Sequence, residues 1–66
     1  MILIISQHAQ KKMDALGITK NQIRLAIKRG SKYKQTDGLL AIYTYIRVAY
    51  KVVGNKYIIK TVMIQE

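Results

Sequence analysis

The chain has no cysteine, no proline, no tryptophan and no phenylalanine, a single histidine, and three acidic residues against twelve Lys and Arg. Without cysteine there is no disulfide framework and no thiolate metal site, which agrees with a reducing cytosol and a cytoplasmic location. Long apolar runs are also missing. Met1-Ile-Leu-Ile-Ile5 is too short to span a bilayer and has no charged leader, so it reads as neither signal peptide nor membrane anchor. No Gly-rich loop follows a strand, which removes nucleotide hydrolysis of the P-loop type. With one imidazole (His8), no thiol, and Asp14, Asp37 and Glu66 scattered along the chain, a metal site or a nucleophile triad lacks its parts, so no metal and no cofactor is expected. No linker, repeat or low-complexity tract interrupts the sequence, and residues 1–66 read as one small folded domain.

What is present is positive charge. The net charge is +9 and the sequence pI is about 10.1. A charge of that sign and size on so short a chain asks for a polyanion: nucleic acid first, an acidic protein partner second. A membrane surface fits less well, because the basic residues do not lie along one long amphipathic helix.

The pattern of the chain predicts an α+β domain. Ile2–Ile5 is a strand, either covered on both faces or lying beside the later ribbon. Ser6 is an N-cap, and Ala9, Met13 and Leu16 recur at helical spacing over Gln7–Leu16, which Gly17 ends in the left-handed conformation. Thr19 and Gln22 form a capping box, with Ile18 and Ile23 as hydrophobic staple, opening a second helix over Lys20–Arg29 that Gly30 ends. Its inward stripe is Ile23, Ala26 and Ile27; Lys20, Arg24 and Lys28 form an outward row. Ser31–Gln35 is an edge strand, turned back at Thr36-Asp37-Gly38 into Leu39–Tyr43. Arg47–Val53 and Tyr57–Ile64 follow, joined by Gly54-Asn55, a type II′ hairpin signal. The expected order is thus strand, helix, helix, then an antiparallel meander with both helices on one face of the sheet.

Taking Gly54 and Asn55 as the loop sets a register in which Tyr50 faces Ile59, Ala49 faces Lys60, Val48 faces Thr61 and Arg47 faces Val62. Alternation then places Val48, Tyr50, Val52, Tyr57, Ile59 and Met63 on a core-facing wall. Arg47, Lys51, Lys56 and Lys60 share the other face with Ala49, Ile58 and Val62. Such a face is either a solvated sheet surface or a bed for a phosphate backbone. In this register Lys60 is diagonal to both Arg47 and Lys51, so three cations surround the small Ala49.

Lys, Arg, Tyr and His side chains can bind phosphate and can stabilise the charge that develops when a ribose 2′-hydroxyl attacks a phosphodiester. Arg47, Lys51, Lys60 and His8 are therefore the candidate catalytic set, with Lys28, Arg29, Lys32, Lys34 and Lys56 as further nucleic-acid contacts. His8, at the start of the first helix, suits either a proton acceptor or a hydrogen-bonding capping residue.

Two pieces of sequence carry a resemblance. Ser6-Gln7-His8-Ala9, Lys12-Met13 and Gly17-Ile18-Thr19 resemble the opening of a family of small uncharacterised microbial proteins, with Lys12 where those commonly have Arg. Ile46-Arg47-Val48-Ala49-Tyr50-Lys51, followed by a hairpin and an apolar last strand, resembles the end of the RelE/ParE toxin superfamily. The chain departs from those toxins after Ile64, where they often carry further basic, aromatic or His residues. The resemblance implies a strand, two helices and a meander, a metal-independent ribonuclease or ribosome-associated mRNA interferase, an antitoxin partner, and Arg47 on the functional sheet face. A non-catalytic nucleic-acid-binding module and a basic protein-interaction domain are the competing expectations.

Overall fold

The structure, a computed structural model, describes residues 1–65. It has seven elements: β1 (Ile2–Ile5), α1 (Gln7–Leu16), α2 (Lys20–Arg29), β2 (Ser31–Gln35), β3 (Gly38–Tyr43), β4 (Ile46–Val53) and β5 (Lys56–Ile64). The helix signals act as read. Ser6 Oγ accepts from the Ala9 N–H, the capping box of Thr19 and Gln22 closes in both directions, and Gly17 takes φ 71°. Neither ten-residue helix would persist alone in water, so each depends on burying its apolar stripe.

The five strands form one sheet in the order β1-β5-β4-β3-β2. β2 to β5 are an antiparallel meander, and β1 lies parallel to the first half of β5, with Ile2 opposite Lys56 and Ile5 opposite Ile59. Both helices cover the same face, α1 over β5 and α2 over β3 and β4. Between them and the sheet lies a core of Ala9, Met13, Ile18, Ile23, Ala26, Ile27, Ala41, Ile46, Val48, Tyr50, Ile59 and Val62. β1 is covered on that face only. Leu3 and Ile5 pack against the core, while Ile2 and Ile4 are exposed on the other side.

Three two-residue loops turn the meander: Thr36-Asp37, Thr44-Tyr45 and Gly54-Asn55. Gly54 has φ 63° and Asn55 has no positive φ, as a type II′ turn requires. Thr44 has φ 54°, a left-handed conformation that a β-branched residue adopts only under constraint. Its hydroxyl donates to the Tyr43 carbonyl, and the Gln65 N–H donates to the Tyr45 carbonyl at 2.7 Å, tying β5 to this turn.

The register expected from the Gly54 turn holds from Val53–Lys56 to Tyr50–Ile59 and then fails. Ala49 pairs with Thr61, Val48 with Val62 and Arg47 with Met63, so Lys60 is an extra residue in β5, a β-bulge. One inserted residue reverses the alternation beyond it. Val62 is therefore fully buried against Val48 in the core, and Met63 moves to the opposite face, the reverse of the expectation. Val52 also departs from the expected wall: it lies near the hairpin tip, beyond the helices, and is 42% exposed.

The bulge makes a sharp prediction. Val62→Asp places an unpaired charge in the core, at a cost of several kcal/mol against a total of roughly 5–15, and unfolds the domain. Met63→Asp lies on the uncovered face and leaves a cooperative melting transition. Circular dichroism melts of the two variants separate the bulged register from the plain one, which predicts the opposite ranking.

Candidate nucleic-acid interface

The face of the sheet away from the helices is uncovered, and alternation assigns its residues. β4 contributes Arg47, Ala49, Lys51 and Val53; β3 contributes Leu40 and Ile42; β5 contributes Lys56, Ile58 and Met63; β1 contributes Ile2 and Ile4; and β2 contributes Tyr33. In register, Tyr33, Leu40 and Ala49 form one row, and Ile42, Arg47 and Met63 the next. Leu40 and Ala49 are buried among their neighbours without any helix above them. The result is a shallow apolar floor carrying cations, and no enclosed pocket forms among the described residues.

Lys60 reaches this face through the bulge, and α1 holds the bulge in place. Ser6 Oγ donates to the Lys60 carbonyl at 3.1 Å while accepting from the Ala9 N–H, and the Ser6 N–H donates to the Ile59 carbonyl. One serine thus caps the helix and satisfies the backbone at the strand irregularity. Two residues on, His8 Nε2 lies 3.0 Å from Thr61 Oγ1. The Ser-x-His-Ala run accordingly has a structural content: Ser6 and His8 grip β5 at Lys60 and Thr61, and the buried Ala9 lets the helix come close.

Lys51 and Lys60 converge on Asp37, in the β2–β3 loop. Lys51 Nζ is 3.5 Å from one carboxylate oxygen and Lys60 Nζ is 3.6 Å from the other. Lys60 Nζ also donates to the Asp37 carbonyl. Gly38 makes room: with φ 132°, any Cβ there would run into the Tyr50 carbonyl oxygen and come within 3.3 Å of Lys60 Nζ. The positive charge of Lys51 first, and of Lys60 second, lowers the Asp37 carboxyl below its ordinary value near 3.8. The diagonal of three cations around Ala49 is therefore revised: Lys60 stands in the bulge instead of opposite Ala49, and it and Lys51 already share a carboxylate.

Arg47 lies between Ile42 and Met63 in register. Its Nε is buried and has no hydrogen-bond partner among the described residues. A buried donor left unpaired costs about 1–3 kcal/mol. Tyr50, in contrast, belongs to the core: burial first, and Tyr57 second, raise its phenol above the ordinary value, and the two rings stack at 6.0 Å.

The other expected contacts divide. Lys56 shares the open face, near the hairpin tip, whereas Lys32 and Lys34 pair with Ala41 and Leu39 and so point to the helix side of the edge strand. Lys32 Nζ donates to the Gly30 carbonyl at 2.7 Å, bringing it against the end of α2 where Lys28 and Arg29 are exposed. Lys28, Arg29 and Lys32 thus lie at the end of α2, and Lys34 stands further along the edge strand, all apart from the open face of Arg47, Lys51 and Lys60. Among the described residues no three His, Cys, Asp or Glu side chains come together as metal ligands, and Glu66 lies outside the described residues.

The lowered Asp37 carboxyl fixes the sign of a pH effect. Its contribution to stability is present above the unfolded value near 3.8 and is lost as pH falls below it through the folded value. The stability difference between wild type and Asp37→Asn should be flat at neutral pH and shrink only in acid below about pH 4. Urea melts at a series of pH values check this, and a difference that vanished already near pH 6 would contradict it.

Neither a curated protein nor a solved structure gives a significant match to the chain. A family described as Domain of unknown function (DUF4258) matches residues 5–64, which takes in every feature of this face except Ile2 and Ile4, and the protein belongs to that family.

Proposed function

We propose that this protein is an RNA-acting domain of the RelE/ParE type, with the open sheet face as the bed for a single-stranded RNA backbone. The observation that carries the reading is that Arg47, Lys51, Lys56 and Lys60 lie on one uncovered sheet face, over an apolar floor, in a chain of net charge +9. Cations alone would attract any polyanion. The apolar floor and the exposed Tyr33 at its margin add surfaces on which unpaired bases can rest, which suits a single strand better than a duplex. A shallow open face also suits an extended polymer better than a small enclosed substrate.

In this reading Arg47, set between Ile42 and Met63 on the open face, contacts the scissile phosphate through its guanidinium. Lys51 and Lys60 hold the backbone beside it. Cleavage follows attack by the adjacent 2′-hydroxyl: the O2′–P bond forms, the P–O5′ bond breaks, one proton leaves the 2′-oxygen and one reaches the 5′-oxygen. The products are a 2′,3′-cyclic phosphate and a 5′-hydroxyl. His8, the only imidazole, is lodged at the bulge beside Lys60 and is the candidate for moving a proton. A RelE/ParE-type activity would be held in check by an acidic antitoxin, and the protein's charge suits such a partner.

A second reading is supported by His8 itself. Its Nε2 is engaged with Thr61, and its place in the fold is explained by that bond alone. The same face would then bind RNA without cutting it.

Expression in a bacterial host, with RNA analysis of the purified protein with and without ribosomes, separates the two. Cleavage that persists in excess EDTA, leaves cyclic phosphate ends and is abolished by Arg47→Ala supports the first. Binding without cleavage supports the second. In either case Lys51→Gln with Lys60→Gln should weaken RNA binding more than Lys20→Gln with Lys28→Gln, and should lower the salt slope by about 0.7 for each phosphate that is no longer neutralised. Equal weakening by the two pairs would mean attraction by bulk charge with no dedicated face.

A further inference from the structure

We propose that Lys51 and Lys60 form a phosphate subsite that the Asp37 carboxylate occupies from within the chain, so that bound nucleic acid must displace Asp37 to place a backbone phosphate there. The inference rests on the nucleic-acid reading above and deepens it. A carboxylate offers two anionic oxygens of the kind that a phosphodiester offers, and here each oxygen faces a different ammonium, at 3.5 and 3.6 Å. This is how two lysines would clasp the two free oxygens of a backbone phosphate.

The two sides of the contact are built differently. Lys60 is aimed by the bulge, whose carbonyl Ser6 holds, and its ammonium donates to the Asp37 carbonyl beside Gly38, where a Cβ would come within 3.3 Å of it. Lys51 projects from the middle of the hairpin opposite Ile58. The carboxylate itself is on a two-residue loop, and its side chain is 72% exposed. Rotation of that one side chain takes the carboxylate away from both ammoniums without moving a strand, and Lys60 keeps its bond to the Asp37 carbonyl. The pair is in contact with water, so an incoming phosphate gives up little in replacing it.

Asp37 is also isolated as an anion. Apart from Glu66, the chain has one other acid, Asp14, which accepts from Gln10 Nε2 on α1. Asp14→Asn is thus a charge-matched control: it removes the same single negative charge from a site remote from the two lysines.

The test is the affinity of the full chain for a short single-stranded RNA, measured by fluorescence anisotropy across a salt series, for wild type, Asp37→Asn and Asp14→Asn. The proposal expects Asp37→Asn to tighten binding on the order of fivefold, with a salt slope steeper by about 0.7, and Asp14→Asn to change affinity by less than about twofold. Adding Lys51→Gln and Lys60→Gln to Asp37→Asn should cancel the gain. A second arm titrates inorganic phosphate and follows the Lys51 and Lys60 side-chain resonances, which should shift more in Asp37→Asn than in Asp14→Asn. Equal RNA gains from the two acid substitutions would overturn the subsite while leaving the RNA reading intact. Absence of RNA binding by every variant would overturn the RNA reading, and the subsite with it unless phosphate alone still shifts the two lysines more in Asp37→Asn.

Discussion

The inserted residue at Lys60 sets the phase in which β5 meets the helices. A regular strand from Lys56 to Ile64 would put Met63 in the core and Val62 outside, and would direct the end of β5 against the helices in the wrong phase. The bulge at Lys60 resets the phase, so that Ile59 and Val62, three apart in sequence, both enter the core beneath α1. The backbone irregularity has to be satisfied, and Ser6 does this with the same hydroxyl that starts the helix. Strand, helix start and core are therefore set by one local arrangement.

The same arrangement bears on function. A bulge re-aims the side chain of its extra residue, and here that residue is a lysine on the uncovered face, close to a loop acid and to a second lysine. Beneath the helices the core face of the sheet is apolar, whereas the open face mixes an apolar floor with four cations. Folding accounts for the first of these faces fully. It leaves the second with four cations that do nothing for packing, and features of that kind are where a binding surface is to be sought.

Much of this was legible in the sequence because the signals were local. Ser6, Gly17, the Thr19–Gln22 box and Gly54-Asn55 each act within a few residues, and the helices and the last hairpin followed from them. The element order and the placing of both helices on one face followed from apolar periodicity. Three features were not legible. The Thr44-Tyr45 turn has no glycine, asparagine or proline, and its positive φ is imposed by the pairing of Tyr43 with Ile46 and by the Gln65 bond to Tyr45. The bulge had a faint trace: past Ile59, strict alternation would have put Thr61 inward and Val62 outward, a poorer partition than its reverse. Only the packing of α1 and the reach of Ser6, more than fifty residues away in sequence, decide the matter. Asp37 was read as one of three scattered acids, because nothing local indicates that a hairpin loop will bring it between two lysines of other strands.

The proposed bed for nucleic acid is the open sheet face and not the outer row of α2. Backbone amide chemical shifts of the isotopically labelled protein, followed during titration with a short single-stranded RNA, test it residue by residue. Arg47, Ala49, Lys51, Ile58 and Lys60 should move most, together with Asp37 as its carboxylate is displaced, while Lys20, Arg24 and Lys28 stay still. Shifts concentrated on that α2 row, or spread evenly over all the basic residues, would contradict it.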